Sequence, residues 1–249
     1  MIQILMPLAG AGGPFIADGS AFPKSLTEVR SHSLVEYAIS SSRPDEDHRF
    51  IFVISSVDAQ RHHLDAVLSL LAPTSTIVQA RGETAGALCS VLLAVDELDP
   101  AAPLLLCNGD QYLPDGVDQA LATFRDMNLD VGIITFKSTH PRWSFVRLDT
   151  EGNVVDTAEK HPISDEATVG VYYYRCAEFF IYAARKSLLR NARHADQFYV
   201  VPSIKELVLA GRHIGVYRID RERFFPLGAP SDVDDYLRRY DRSPLDTDA

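Results

Sequence analysis

The chain has 249 residues, 46% hydrophobic and 23% charged, with a formal net charge of -10 and three cysteines. Length and composition fit a globular chain with a sizeable core. The acidic balance argues against nucleic acid or an anionic membrane as partner, so a phosphate-bearing ligand must meet a local pocket rather than a basic face.

The opening MIQILMPLAG lacks a basic n-region and breaks its apolar run at Pro7, so it does not read as a secretory signal. No stretch approaches the ~18 apolar residues that span a bilayer. A cytoplasmic location is expected, with Cys89, Cys107 and Cys176 as reduced thiols too far apart in sequence for a metal site.

The first half alternates strands with amphipathic helices. Strands are predicted at 2–6 (IQILM), 49–55, 76–79, 103–107 (PLLLC) and 130–136; helices are predicted at 33–41, 58–71, 84–98 and 116–127. Continuous apolar strands of this kind belong to a parallel sheet covered on both faces. Right-handed crossovers then gather the loops after the strands along one edge, where ligands of such sheets bind.

The second half changes character. Residues 143–160 read as a hairpin about Glu151-Gly152-Asn153, 168–175 as a strand, 177–191 and 201–211 as helices, and 213–220 as a strand. A helix over 231–240 is expected to open on a Ser231 cap, and 241–249 reads as a frayed tail. A single α/β domain over 1–240 is the simplest organisation.

Four stretches carry candidate chemistry. In LAGAGGPF, glycines 10, 12 and 13 follow the first strand and free backbone N–H groups to face phosphate. It is neither a dinucleotide fingerprint, since Phe15 stands where a third glycine belongs, nor a Walker loop, since Gly-Lys-Ser/Thr is absent. In FPKSL, Pro23 fixes the backbone just before Lys24. In LLLCNGDQYL, Asp110 lies just past a buried strand, where one carboxylate suffices for Mg²⁺ that keeps its waters and takes substrate phosphates; a locally bonded Asn108-Gly109-Asp110 turn is the plainer alternative. Glu159-Lys160 sets a carboxylate beside an ammonium, suited to a phosphorylated polyol, though also to an ordinary exposed ion pair.

With these stretches in this order, the chain resembles the sugar-phosphate nucleotidyltransferases, most nearly the glucose-1-phosphate thymidylyltransferase-like enzymes of capsule and surface-polysaccharide pathways. The resemblance runs through LAGAGGPF, FPKSL, ETAGALCSVLLA, LLLCNGDQ, HPRWSFVRLD, TAEKHPIS, ATVGVYYYR, DQFYVVPSIKELVLAG and PLGAPSDVDDYL. It implies a Rossmann-like nucleotidyltransferase fold, with a mixed, mostly parallel central sheet and helices on both faces. The implied reaction is Mg²⁺-dependent transfer of NMP from an NTP to a sugar 1-phosphate or similar phosphorylated acceptor, releasing pyrophosphate. It further implies nucleotide contacts at Leu8, Ala9, Gly10, Ala11, Gly12, Gly86 and Asn108. Lys24 would grip phosphate, Asp110 would hold the metal, and Glu159, Lys160 and Gly170 would meet the sugar and its phosphate, with Lys160 among the catalytic residues. Homo-oligomerisation is left open.

The chain departs from the family pattern at three places. Pro14 stands where the pattern has an arginine, and such a guanidinium would clasp the leaving pyrophosphate. Pro226 replaces an aspartate that would be a second metal ligand, and Ala229 replaces a threonine; Ser25 replaces a proline in the lysine motif. These departures keep two alternatives in view: a degenerate nucleotide-sugar-binding protein with little turnover, and a glycosyltransferase of related fold.

Overall fold

The structure is a computed structural model in which residues 1–10, 13–17, 19 and 22–239 are described. The elements of the first half are β1 (Ile2–Pro7), α1 (Gly13–Ala17), β2 (Glu28–Val29), β3 (His32–Ser33), α2 (Leu34–Ser42) and β4 (His48–Ser55). They continue with α3 (Ser56–His62), α4 (Leu64–Leu71), β5 (Thr76–Ala80), α5 (Ala87–Leu92), β6 (Leu104–Cys107), β7 (Gln111–Tyr112) and α6 (Asp118–Asp126). The second half adds β8 (Val131–Lys137), β9 (Ser144–Leu148), β10 (Val154–Glu159), β11 (Glu166–Tyr174), α7 (Ala177–Leu189), α8 (Val200–Leu209), β12 (Ile214–Arg218), β13 (Phe225–Pro226) and α9 (Pro230–Arg239).

Nine strands form the central sheet, in the order β10-β9-β11-β6-β1-β4-β5 with β8 beside β11 and β12 beside β8. Strands β6, β1, β4 and β5 are mutually parallel, as are β8 and β12. Strand β11 runs against β6, β8 and β9, and β9–β10 is the antiparallel hairpin expected about Gly152. The fold is a mixed α/β sheet of the Rossmann-like kind.

The strands are apolar on both faces because both are covered. Ile2, Ile4 and Met6 of β1, with Phe50, Phe52 and Ile54 of β4, pack against α2, α4 and α6 in one core. Leu5, Ile51, Val53, Leu104 and Leu106 point the other way, with side chains of α5, α7 and α8. Each such side chain contributes roughly 1.5–3 kcal/mol on burial. A third, smaller cluster of Phe15, Val29, Leu34, Tyr37, Tyr112, Phe225, Leu227 and Tyr236 clamps α9 and the β7–β13 pair onto α2. Its rings meet edge to face, Tyr37 lying 5.1 Å from Tyr112 and 5.5 Å from Tyr236.

Three helices differ from expectation. The helix expected over 58–71 is two, broken at His63, which adopts a left-handed conformation (φ 52°). The one expected over 84–98 starts only at Ala87, because Gly86 (φ 109°) is not helical, and Val95–Glu97 forms a 3₁₀ turn. Helix α9 begins at Pro230, whose missing N–H costs nothing at the first helical position, so Ser231 lies inside it and is no cap. The Ala229 carbonyl accepts from Asp232 N–H and Val233 N–H instead. The tail at 241–249 lies outside the described residues.

Glu166, at the start of β11, ties three strands together. It is buried, accepts from Thr135 Oγ1 at 3.1 Å, pairs with Lys137 at 2.8 Å and takes a two-pronged bond from Arg218. Burial alone would raise its pKa, but the Arg218, Lys137 and Thr135 bonds outweigh it and hold the carboxyl below the usual 4.5. Its contribution to stability is therefore present above 4.5 and lost as pH falls through the lower folded value. Glu166→Gln is expected to cost about 1–3 kcal/mol at neutral pH and to flatten the acid limb of stability, as read by urea unfolding across pH.

Candidate functional site

The parallel strands β1 and β6 end side by side, and the loops after them open on the same edge. Leu8 N–H donates to Val53 O at 2.7 Å, and a Cβ placed on Gly109 would run into the Leu8 side chain, so the two loops lie in contact. Gly10 is exposed, and among the described residues nothing stands where a Cβ would be. Ala11 and Gly12, counted with this loop from the sequence, lie outside the described residues, as does the side chain of Pro14.

Lys24 opens a 3₁₀ turn just after Pro23, whose φ is -54°. Its Nζ donates to Asp110 Oδ2 at 2.5 Å, both side chains partly exposed at 24% and 33%. The lysine and the aspartate singled out from the sequence, 86 residues apart, are therefore one ion pair. Asp110 is further tied down by its carbonyl, which accepts from Leu227 N–H at 2.8 Å.

The second half of the chain reaches the same edge through strand register. Val171 pairs with Cys107 at the end of β6, so residues 166–170 of β11 extend past that end, where β9 pairs with them on one side and carries β10 beyond it. Ser144 pairs with Glu159, and Lys160 N–H donates to Trp143 O at 3.0 Å. The segment from Arg142 to Ser144 thus lies between Asp110 and the Glu159-Lys160 pair.

Glu159 is buried, with Oε2 accepting from Ser144 Oγ at 2.5 Å. Burial pushes its carboxyl above the usual 4.5, against the Ser144 bond and the charges of Lys160 and His194. Lys160 is exposed and left-handed (φ 51°), and its Nζ donates to Tyr199 OH at 3.2 Å while standing 5.1 Å above the same ring. Neither Tyr199 nor Ser144 is among the site residues that the resemblance implies; only tertiary contact brings them in.

Two of the nominated glycines answer to protein neighbours. At Gly86, an added Cβ would strike the Phe198 backbone, 2.7 Å from its nitrogen, and Leu88 N–H and Ala85 O both bond to Phe198. At Gly170 (φ 92°), it would lie 2.7 Å from Asn108 Cγ and 2.8 Å from Gln111 Oε1. Asn108 N–H donates to Gly170 O at 2.9 Å. Close protein packing therefore accounts for both glycines without a ligand, and it fixes Asn108 beside Asp110. Gln111 is buried, and among the described residues its Nε2 has no hydrogen-bond partner.

Arg142 and Asp232 complete the edge. The guanidinium donates through both terminal nitrogens to both carboxylate oxygens at 2.7 Å. Gly228 stands between the acids: a Cβ there would lie 3.4 Å from Asp110 Oδ2 and 3.7 Å from Asp232 Oδ2. Among the described residues no group of three or more His, Cys, Asp or Glu is placed to hold a metal ion. A hard cation that takes one carboxylate and completes its shell with water and phosphate still fits Asp110, which spends one oxygen on Lys24.

No protein-family profile matches the chain. It is 37% identical over 70 residues to a glucose-1-phosphate thymidylyltransferase from Streptomyces antibioticus, a match covering 26% of this chain and only 20% of that protein. The structure is similar to a nucleoside-diphosphate-sugar pyrophosphorylase from Vibrio cholerae RC9, with a TM-score of 0.82 and 25% identity over 96% of this chain and 100% of that one. It also resembles the inositol-1-phosphate CTP transferase from T. maritima in fold, with a TM-score of 0.71 and 16% identity over 92% of this chain and 90% of that one. The chain has the nucleotidyltransferase Rossmann-like fold and is similar to the sugar-phosphate nucleotidyltransferases. No helix among the described residues is long and apolar enough to cross a membrane.

The glycines separate structural from ligand roles. Gly170→Ala is expected to cost about 2–4 kcal/mol through backbone strain and the clash with Asn108. Gly10→Ala should leave stability within about 0.5 kcal/mol, because no described residue stands where its methyl would be. Urea unfolding of both variants checks the contrast.

Proposed function

We propose that the chain is a Mg²⁺-dependent nucleotidyltransferase that joins the NMP portion of an NTP to a sugar 1-phosphate or a similar phosphorylated acceptor, with release of pyrophosphate. The observation that carries this reading is the Lys24–Asp110 ion pair standing on the same sheet edge as Glu159 and Lys160. Similarity to a thymidylyltransferase and to a nucleoside-diphosphate-sugar pyrophosphorylase supports it.

In the proposed reaction an oxygen of the acceptor phosphate attacks the α-phosphorus in line, and pyrophosphate leaves. The acceptor brings its own nucleophile, so the protein's work is placement and neutralisation of charge. The loop from Leu8 to Gly12 and the Gly86 turn receive the nucleotide, with Asn108 beside them. Lys24 turns from Asp110 to the phosphates, and Asp110 would hold the metal, which would supply neutralisation of phosphate charge. The Glu159 carboxylate accepts from an acceptor hydroxyl, beside Gly170, while Lys160 meets the acceptor phosphate. The fold of an inositol-1-phosphate transferase makes a polyol other than a hexose a natural member of the acceptor panel.

Release of pyrophosphate from each common NTP with Mg²⁺ and a panel of phosphorylated sugars and polyols tests the reading. Lys24→Ala and Asp110→Asn are each expected to lower kcat/KM by about 10²–10³-fold. Nucleotide binding without release from any pair would turn the assignment toward a binding protein.

The acceptor side has its own pH signature. Since burial holds Glu159 above 4.5, its proton leaves late, and kcat/KM should fall as pH drops through that raised value. Ser144→Ala removes a bond that favours the carboxylate, so the acid limb should move to still higher pH. Glu159→Gln should abolish the limb and lower kcat/KM on the plateau above it.

A further inference from the structure

We propose that Arg142, locked in place by Asp232, is the cation that binds the pyrophosphate end of the nucleotide, and that Asp232 therefore serves a guanidinium rather than a metal ion. The inference rests on the nucleotidyltransferase reading and adds to it a residue and a division of labour between the two acids of the edge.

The geometry is that of a built site. Asp232 is nearly buried, its side chain 7% exposed, while Arg142 keeps 41% of its own side chain open. Both carboxylate oxygens already accept from the arginine fork, so a metal approaching either one would compete with a charge-assisted bond on a carboxylate that water scarcely reaches. The guanidinium also lies over the Trp143 ring at 4.5 Å, and that ring is wedged against Phe136 at 5.3 Å and Phe224 at 5.6 Å. Fork and stack together remove the freedom a surface arginine normally has.

A guanidinium carries five N–H donors. Asp232 uses two of Arg142's, which leaves three for another acceptor on the exposed side. The group is also electrostatically placed for an anion. The Asp232 bonds raise its pKa against burial, with Asp110 adding attraction, so its charge is permanent. Arg221 faces the same region, stacked on Phe136 at 5.5 Å and Phe224 at 5.7 Å, and its pKa is lowered by burial and by the charges of Arg239 and Arg142. Guanidinium groups that repel one another gain most from an arriving polyanion. Lys24 is bonded to Asp110, whose carboxylate faces that of Asp232 across Gly228, so a third cation belongs to the same stretch of the edge.

Calorimetric titration with inorganic pyrophosphate, the NTPs and the matching NMPs, all with Mg²⁺, tests the assignment. Arg142→Gln should weaken pyrophosphate and the best-bound NTP about 10- to 100-fold and the NMP less than about twofold. Arg142→Lys should fall between. Because Arg142→Gln strands a buried carboxylate, the double variant Arg142→Gln, Asp232→Asn, whose amides can still bond, repeats the measurement in a chain checked for an unchanged melting curve. Mn²⁺ binding at saturating NTP, followed by electron paramagnetic resonance, should be unchanged in Asp232→Asn. Wild-type pyrophosphate affinity in the arginine variants, or loss of a bound Mn²⁺ in Asp232→Asn, overturns the inference and leaves the transferase reading standing. Absence of any pyrophosphate or NTP binding by the unmodified protein overturns both.

Discussion

Strand β11 runs against β6, and the rest of the site depends on that reversal. Were β11 parallel, its first residues would lie at the opposite edge, and the β9–β10 hairpin would go with them. Because Val171 meets Cys107 and the strand arrives from beyond the end of β6, residues 166–170 overhang the loop that carries Asp110. The hairpin that pairs with this overhang brings Arg142, Ser144, Glu159 and Lys160 to the same side. Glu166 anchors the overhang to β8 and β12, so a buried charge helps set the position of the β9–β10 hairpin and its Glu159 and Lys160.

A second constraint acts on the other flank. Helix α9 and the β7–β13 pair belong to neither large core; the Tyr37–Tyr112–Tyr236 cluster holds them on α2. Aromatic contacts of this kind are worth more than their area, since edge-to-face geometry resists sliding. They fix Gly228 and Asp232 against Asp110, and so fix Arg142. Local charge thus follows from apolar packing, and a chain of net charge -10 gathers Lys24, Arg142, Lys160 and Arg221 along one edge.

Much of this was legible in the residues. Alternating apolar strands and helices gave the sheet, and the position of Asp110 just past a buried strand gave its edge. The direction of β11 was not legible: all nine of its residues are buried, and a strand covered on both faces carries no periodicity that reports which way it runs. Arg142 was hidden for a related reason. An arginine in a loop before a strand is by default solvated, and its partner lies 90 residues away. Gly86 and Gly170 show the converse. A resemblance assigns them to ligand contact, while Phe198 and Asn108 already demand the missing side chain. Tertiary packing and ligand approach select the same residue, and sequence cannot divide them.

The two cation–carboxylate pairs of the edge differ in a way that suits different tasks. Lys24 holds Asp110 by a single bond between two partly exposed groups, and solvent keeps such a pair weak. A phosphate can draw the ammonium away on its flexible stem while a metal takes up the carboxylate. Arg142 holds Asp232 by two bonds to a carboxylate that water scarcely reaches, and rupture would leave that charge buried and unpaired. In the proposed reaction the lysine would be free to follow the phosphoryl group as it transfers, and the arginine would be held in place for the pyrophosphate end. A fixed guanidinium would meet the charge that develops on pyrophosphate without reorganising, whereas a flexible ammonium would stay with the phosphoryl group as its bonds change, so the unequal strength of the two pairs suits the two tasks proposed for them.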